Sequence, residues 1–440
     1  MHRSHSNRQF VRYVIPAVIG MVVQALYVVL DGIIVGQGIG EIALAAVNIA
    51  FPCGMVVIAL AMMISVGGAN VYSFYKGRGE ETGANNIFSQ CLSLCVIIGA
   101  VIAVMGSLFV KQLAVFLGAN DLLYPSAVAY LKWLAPISLI QMTVCCLSTF
   151  IRNDDAPRTV MFATVTGAVV NALLDIVFIL ILKFGIEVSA ITNGVGMLIE
   201  LAFYAAHFFR RKGKLTLAKP KFNFPDIKRI LSNGFATFLM EFSLPAVTFS
   251  FNIAIVNTVG TMGVTAYSIV GYVCALINMT LIGVTQGTQP LMSYYHGNRD
   301  SASFSHTYHM GLRTNIVVPV VLVGLCAVFS DFIVRLFHPG NPELTALTSH
   351  IMRLYPIAHI PIGITLMNIL YFQTTENNAF SSLIALLRCV GFIQVFILLS
   401  VFVLEGRLLY LAFFAGEFCH MLLSVLLIKR VKRLENTRTV

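Results

Sequence analysis

Hydrophobic residues in this chain follow neither the i, i+3, i+4 stripes of a surface helix nor the alternation of a half-buried strand. They come in long, nearly unbroken runs separated by short polar breaks. Runs such as 97–110 and 383–404 are apolar almost throughout, and a dozen such helices in one chain leave little to cover them except lipid. Twelve runs approach the ~20 residues needed to cross a bilayer. They lie at about 13–35, 43–75, 89–110, 126–150, 160–182, 188–209, 227–259, 265–295, 312–329, 350–372, 381–404 and 408–428. A membrane β-barrel would instead need alternating segments of ~10 residues. The pattern therefore predicts an all-α integral membrane protein. Residues 1–12 are polar and basic with no cleavage site after a short apolar core, so the first span is expected to be retained.

Composition closes off most other classes. Of 440 residues, 58% are hydrophobic and 11% charged, with a mean hydropathy of +0.85, which excludes a soluble enzyme carrying a single anchor. All nine cysteines fall inside apolar runs with no CxxC or Cys/His spacing, so they read as small buried hydrophobes, with no disulfide and no metal site expected.

Charge supplies the topology. Of the 29 Lys and Arg, 23 fall on one side of the predicted spans: three in 1–12, Lys76, Arg78, Arg152, Arg158, eight from Arg210 to Arg229, Arg299, Arg313, Arg388, and five from Lys429 onward. Positive loops stay on the cytoplasmic side, so both termini are expected there. The net charge of +10 is then topogenic and implies no nucleic-acid partner; the partner surface is the bilayer.

The chain repeats itself at half-length. An offset of 220 superimposes residues 65–80 on 285–300, matching Gly67 with Gly287, Ser73 with Ser293, Tyr75 with Tyr295 and Gly77 with Gly297; Gly40/Gly260 and Ala46/Ala266 obey the same offset. The expected architecture is twelve transmembrane helices in two pseudo-symmetric six-helix lobes, 1–209 and 227–440, joined by a cytoplasmic linker at 210–226. Paired lobes of this kind are a transporter design.

Acids inside the spans strengthen that idea. Asp31, Asp175, Glu200, Glu241 and Glu417 sit where a charge costs about 2.5–3.5 kcal/mol on an insertion scale. Gln24, Tyr27 and Asp31 form one stripe of the first span, two turns beyond Pro16; Asn171 and Asp175 share a face of the fifth. Two carboxylates in one lobe can share a proton, or, with Asn171 and Thr192 as neutral oxygen ligands, hold Na⁺. The spacing leaves both open. Glu200 and Glu417 read as packed acids as readily as functional ones, so Glu417→Gln is expected to leave most transport. Gly36-Gln-Gly38-Ile-Gly40 reads as a membrane-loop turn, Asn153-Asp154-Asp155 as a solvated loop, and His207, His359 and His420 as isolated packed residues.

Pro16, Gln24, Tyr27, Asp31-Gly-Ile-Ile-Val-Gly36, Asn171-x-x-x-Asp175 and Gly283-x-x-Gln286-Gly-x-Gln289-Pro290-x-x-Ser293-Tyr-x-x-Gly297 together resemble the multidrug and toxic compound extrusion (MATE) family, in its prokaryotic damage-inducible and multi-antibiotic branch. The resemblance implies a monomeric secondary antiporter, without cofactor, that exchanges H⁺ or Na⁺ for small amphipathic organic cations by alternating access. It also implies that Asp31, Asn171, Asp175 and Thr192 form the coupling site, with Gln24 and Tyr27 beside it and Pro16 as a bending proline. Glu241 stands where other branches carry a second-lobe carboxylate. Gly234-Phe-Ala236 departs from the usual Gly-x-Pro, and the tenth span offers Glu241 no acidic partner, so the resemblance does not carry over a second-lobe cation site. The runners-up are a lipid-linked precursor flippase of the same superfamily, which needs cationic side chains in its cavity, and a membrane-embedded lipid-modifying enzyme, which needs a second catalytic motif.

Overall fold

The computed structural model describes residues 2–210, 213–337, 342–406 and 408–438. Met1, Arg211, Lys212, Arg407 and Val440, used above for loop charge and termini, lie outside them. Twelve helices are long and apolar enough to cross a membrane: Ser6–Gly38, Ala45–Gly77, Glu81–Leu108, Tyr124–Asn153, Pro157–Ile181, Glu187–Phe209, Phe224–Thr258, Met262–Gly297, Ser301–Val328, Pro342–Thr374, Asn378–Phe402 and Leu409–Arg433. They are the first to twelfth spans below. No strand occurs among the described residues. The polar N-terminal arm is not a separate extension: the first helix starts at His2, because nothing in that arm breaks a helix and Phe10, Tyr13 and Val14 are buried.

The 220-residue repeat is written into the backbone. Gly40 and Gly260, which separate the first span from the second and the seventh from the eighth, have φ of 109° and 82°, and the next repeat mates, Gly79 and Arg299, have 77° and 58°. These left-handed turns let consecutive helices reverse direction without a longer loop. Ala46 and Ala266 are both fully buried.

The chain divides into two compact units. The first comprises Val11–Gly234 together with Ser293–Arg299. Its core centres on Tyr72, Phe88, Phe150 and Tyr204, with Phe150 edge-on to Tyr72 at 5.5 Å between ring centroids. Within it, Gly77 lies against the carbonyl oxygen of Tyr294, and Gly297 against that of Phe74, so a side chain on either would enter a neighbouring backbone. The second comprises Met1–Phe10, Phe235–Met292 and Asp300–Val440, around Phe251, Tyr267, Tyr355 and Phe413, with the Tyr267 and Tyr355 hydroxyls 2.9 Å apart.

Between the sixth and seventh spans, the polar segment is strapped to the third span by its own backbone. Asn85 Oδ1 accepts from the Thr216 amide, Ser89 Oγ from Ala218 and Asn86 Oδ1 from Lys221, while Gln90 Nε2 donates to the Lys221 carbonyl (3.0, 3.0, 2.9 and 3.0 Å). Asp154 holds its start. This carboxylate, expected in a solvated loop, is buried instead: it accepts the Lys214 amide at 2.9 Å and the Leu215 amide at 3.2 Å, with His207 Nε2 at 3.3 Å and Lys76 Nζ at 3.9 Å. His207 is therefore not isolated. The charge is kept inside because it is surrounded by donors.

Its neighbour Asp155 is more exposed. Burial alone would raise the Asp155 carboxyl, but Lys76 at 2.9 Å, the Tyr13 hydroxyl and Arg12 hold it below the usual carboxylate range. The stability it contributes is thus present above the ordinary carboxylate pKa and is lost only as pH falls through that lowered value. Asp154→Ala is expected to release the strap, leaving the buried Leu215 amide unpaired. Limited trypsin digestion of the purified protein at Lys214 and Lys221 checks this; a cleavage rate equal to the parent would exclude the anchoring role.

Three spans are interrupted. The fifth is α-helical to Asp175 and π-helical over Ile176–Ile181. The tenth passes through a 3₁₀ turn at Tyr355–Ala358, where Pro356 cannot supply the amide an α-helix needs. The eleventh breaks at Gly391, between helices Asn378–Val390 and Phe392–Phe402.

Candidate functional site

The fifth span presents Asn171 and Asp175 one turn apart on the same face, 2% and 0% exposed. From the sixth span come Ser189 and Thr192, also buried and three residues apart. Thr192 Oγ1 donates to Asp175 Oδ1 at 2.5 Å, and Ser189 Oγ to Asp31 Oδ1 at 3.4 Å. The Asp31 and Asp175 carboxyls face one another across the first and fifth spans. Tyr27 of the first span and Tyr130 of the fourth lie near both carboxyls.

Asp175 Oδ2 and both amide atoms of Asn171 are buried without a well-formed hydrogen bond. Buried polar atoms are rarely left so. The atoms that converge here are hard oxygens, from two carboxyls, an amide and a hydroxyl, a set suited to a proton or to Na⁺. Among the described residues, no group of three His, Cys, Asp or Glu side chains assembles a metal site.

Asp31, Asn171, Asp175 and Thr192 are thus brought into one cluster, with Tyr27 at its edge. Gln24 is exposed on the same helix, and Pro16 is buried inside it. Ser189, Tyr130 and the π-helical turn were not singled out from sequence. The Ser189/Thr192 spacing of three was a legible signal; the π turn, which redirects the chain immediately after Asp175, had none.

The remaining acids separate by partner. Glu200 accepts from the Tyr204 hydroxyl at 3.1 Å and from Thr164 Oγ1 at 3.5 Å. Glu241, half-buried in the seventh span, has no such partner among the described residues. Glu417 is fully buried and accepts from Arg388 Nε at 2.7 Å. Arg388 was counted above with the cytoplasmic loops; the structure places it inside the eleventh span, 7% exposed, because Glu417 neutralises it there. His420, one turn on from Glu417, joins the same cluster and is not isolated. Removing Arg388 from the loop count leaves 22 of 29 basic residues on the predicted cytoplasmic side.

A family model, MatE, matches residues 16–177 and 236–399 of the chain. Multidrug export protein MepA of Staphylococcus haemolyticus (strain JCSC1435) is 22% identical over 406 residues, covering 91% of this chain and 88% of that one. The fold matches that of an outward-facing multidrug resistance MATE family transporter of the MOP superfamily, with a TM-score of 0.92 at 24% identity over 98% of this chain and 97% of the other. A MOP superfamily transporter from Pyrococcus furiosus Vc1, described by the reverse polarity of its binding pocket, gives 0.90 at 23% identity over the same shares.

Proposed function

Since the chain belongs to the MATE family of multi-pass membrane transporters, we propose that it exports small amphipathic organic cations in exchange for H⁺ or Na⁺, by alternating access. The observation that carries this reading is the Asp31–Asp175 pair, with Asp175 Oδ2 buried and unpartnered beside Asn171. Two carboxylates kept this close cannot both stay charged and dry, so a cation or a proton has to accompany them. Whatever occupies the pair is therefore tied in free energy to whatever the transporter carries.

Positively charged loops support a cytoplasmic location for both termini in a bacterial or archaeal inner membrane, and we take the working unit as a monomer. Cationic cargo suits Glu241, whose carboxyl has no protein partner among the described residues. A pyrophosphate lipid would need free cationic groups, and Arg388 is already neutralised by Glu417, which argues against a flippase.

Proteoliposomes loaded with a fluorescent organic cation test the proposal. Imposing a pH gradient or a Na⁺ gradient is expected to drive dye export against its own gradient with one of the two ions and not the other. Dye movement indifferent to both gradients would overturn ion-coupled antiport.

A further inference from the structure

Beyond the Asp31–Asp175 pair, a second titratable cluster lies wholly within the other compact unit. Glu417 and His420, one turn apart on the twelfth span, are both fully buried, and Arg388 reaches them from the eleventh. Arg388 Nε engages Glu417 Oε1 at 2.7 Å, which leaves Oε2 without a hydrogen bond. Both ring nitrogens of His420 also lack one, and His420 Nδ1 stands 3.7 Å from that same Oε2. The Phe392 ring packs against the imidazole at 5.1 Å between centroids.

Other groups facing the cluster are accounted for. From the tenth span, His359 gives Nδ1 to the Pro356 carbonyl and Tyr355 shares its hydroxyl with Tyr267; both face Glu417. From the seventh, Met240 Sδ lies 3.6 Å from Arg388 Nη1, with Glu241 following it in sequence. None of these reaches the free Oε2 or either ring nitrogen of His420.

A half-satisfied ionic network in a dry interior is costly, and a satisfied one is rigid. Here a single proton converts the first into the second. Arg388 is already engaged with Glu417 Oε1; the free ring nitrogen of His420 is left to accept the proton, and the imidazolium then pairs through Nδ1–H with Oε2. No bond other than N–H is made. The cluster adjoins the Gly391 break, three residues past Arg388, where Gly416 packs against Ile393. A broken span beside a charged group is how transporters bring ion sites to membrane depth.

We infer that Arg388, Glu417 and His420 form a second proton site, which loads and unloads one proton at His420 during the transport cycle. It is separate from the Asp31–Asp175 pair and uses no residue of it.

Full-length protein with isotope-labelled histidine tests this by infrared or nitrogen NMR spectroscopy across about pH 5–8, the range in which histidine is able to respond. One imidazole, assigned by its loss in His420→Gln, is expected to titrate in the parent and in Asp31→Asn alike, and to shift in Glu417→Asp. In proteoliposomes, His420→Gln is expected to move fewer protons per dye exported than the parent, with its remaining transport less dependent on pH. A His420 fixed in one protonation state over that range overturns the inference, as does a parental proton-to-dye ratio in His420→Gln. Should that variant fail to assemble, the titration in the parent, assigned by its shift in Glu417→Asp, decides alone. Parental transport by Asp31→Asn would instead undo the first site's role and leave this result standing.

Discussion

Asp31→Asn and Asp175→Asn should each reduce gradient-driven dye export by about 5–150-fold, the span of a coupling free energy of ~1–3 kcal/mol. Neither variant should lose its fold, because asparagine keeps the volume and can still accept from Ser189 or Thr192. What disappears is the group that changes charge. Since the two carboxyls face one another, a proton or cation shared between them is lost when either is neutralised, and the double variant should be about as defective as either single one. Additive losses would mean two independent sites. Export rates measured at matched protein levels decide the matter, and parental rates in both single variants would end the mechanism.

Glu417→Gln should have the largest effect on stability, a quantity apart from the transport that the sequence leads one to expect it to retain. Glutamine leaves the Arg388 guanidinium buried against a neutral partner, and breaking a buried pair on one side costs about 3–5 kcal/mol. Replacing both partners, Arg388→Met with Glu417→Met, removes the stranded charge and should recover much of that loss, because apolar groups of similar volume replace a buried pair at little cost. Denaturant unfolding of the purified protein in micelles compares the parent, Glu417→Gln and the Arg388→Met/Glu417→Met double variant. A single substitution as mild as the double one would show that the pair is solvated after all.

These two residues also show where sequence reading stops. The spans were legible because each is a local property: some twenty apolar residues need a bilayer whatever else the chain does. Asn171 and Asp175 were legible for a similar reason, since a spacing of four fixes a shared helical face. Arg388 was misread because a basic residue near the end of an apolar run looks like a loop charge until Glu417, 29 residues on, is seen to neutralise it. Asp154 was misread in the same way: its partners are backbone amides of Lys214 and Leu215, about 60 residues away, and amides leave no mark in sequence. Contacts made by backbone, and pairs set by how helices cross, are the part that patterns of side chains do not encode.

The backbone contacts made by Gly77 and by Gly297 have a consequence of another kind. Gly77 meets the backbone of Tyr294, Gly297 meets that of Phe74, and both pairs are related by the same 220-residue shift. Residue i touching j while j's counterpart touches i's is the signature of an isologous interface, the kind by which two identical subunits pair about a two-fold axis. This crossing is therefore what a homodimer of six-span chains would leave behind after gene duplication and fusion. In such a dimer every mutation is made twice and has to suit both sides at once. Fusion removes that constraint, and one turn away the release is visible: Ser293 donates to Asn70, whereas its counterpart Ser73 donates to Asn153. The glycines had to stay alike because each still lies against backbone, while the side chains around them became free to specialise.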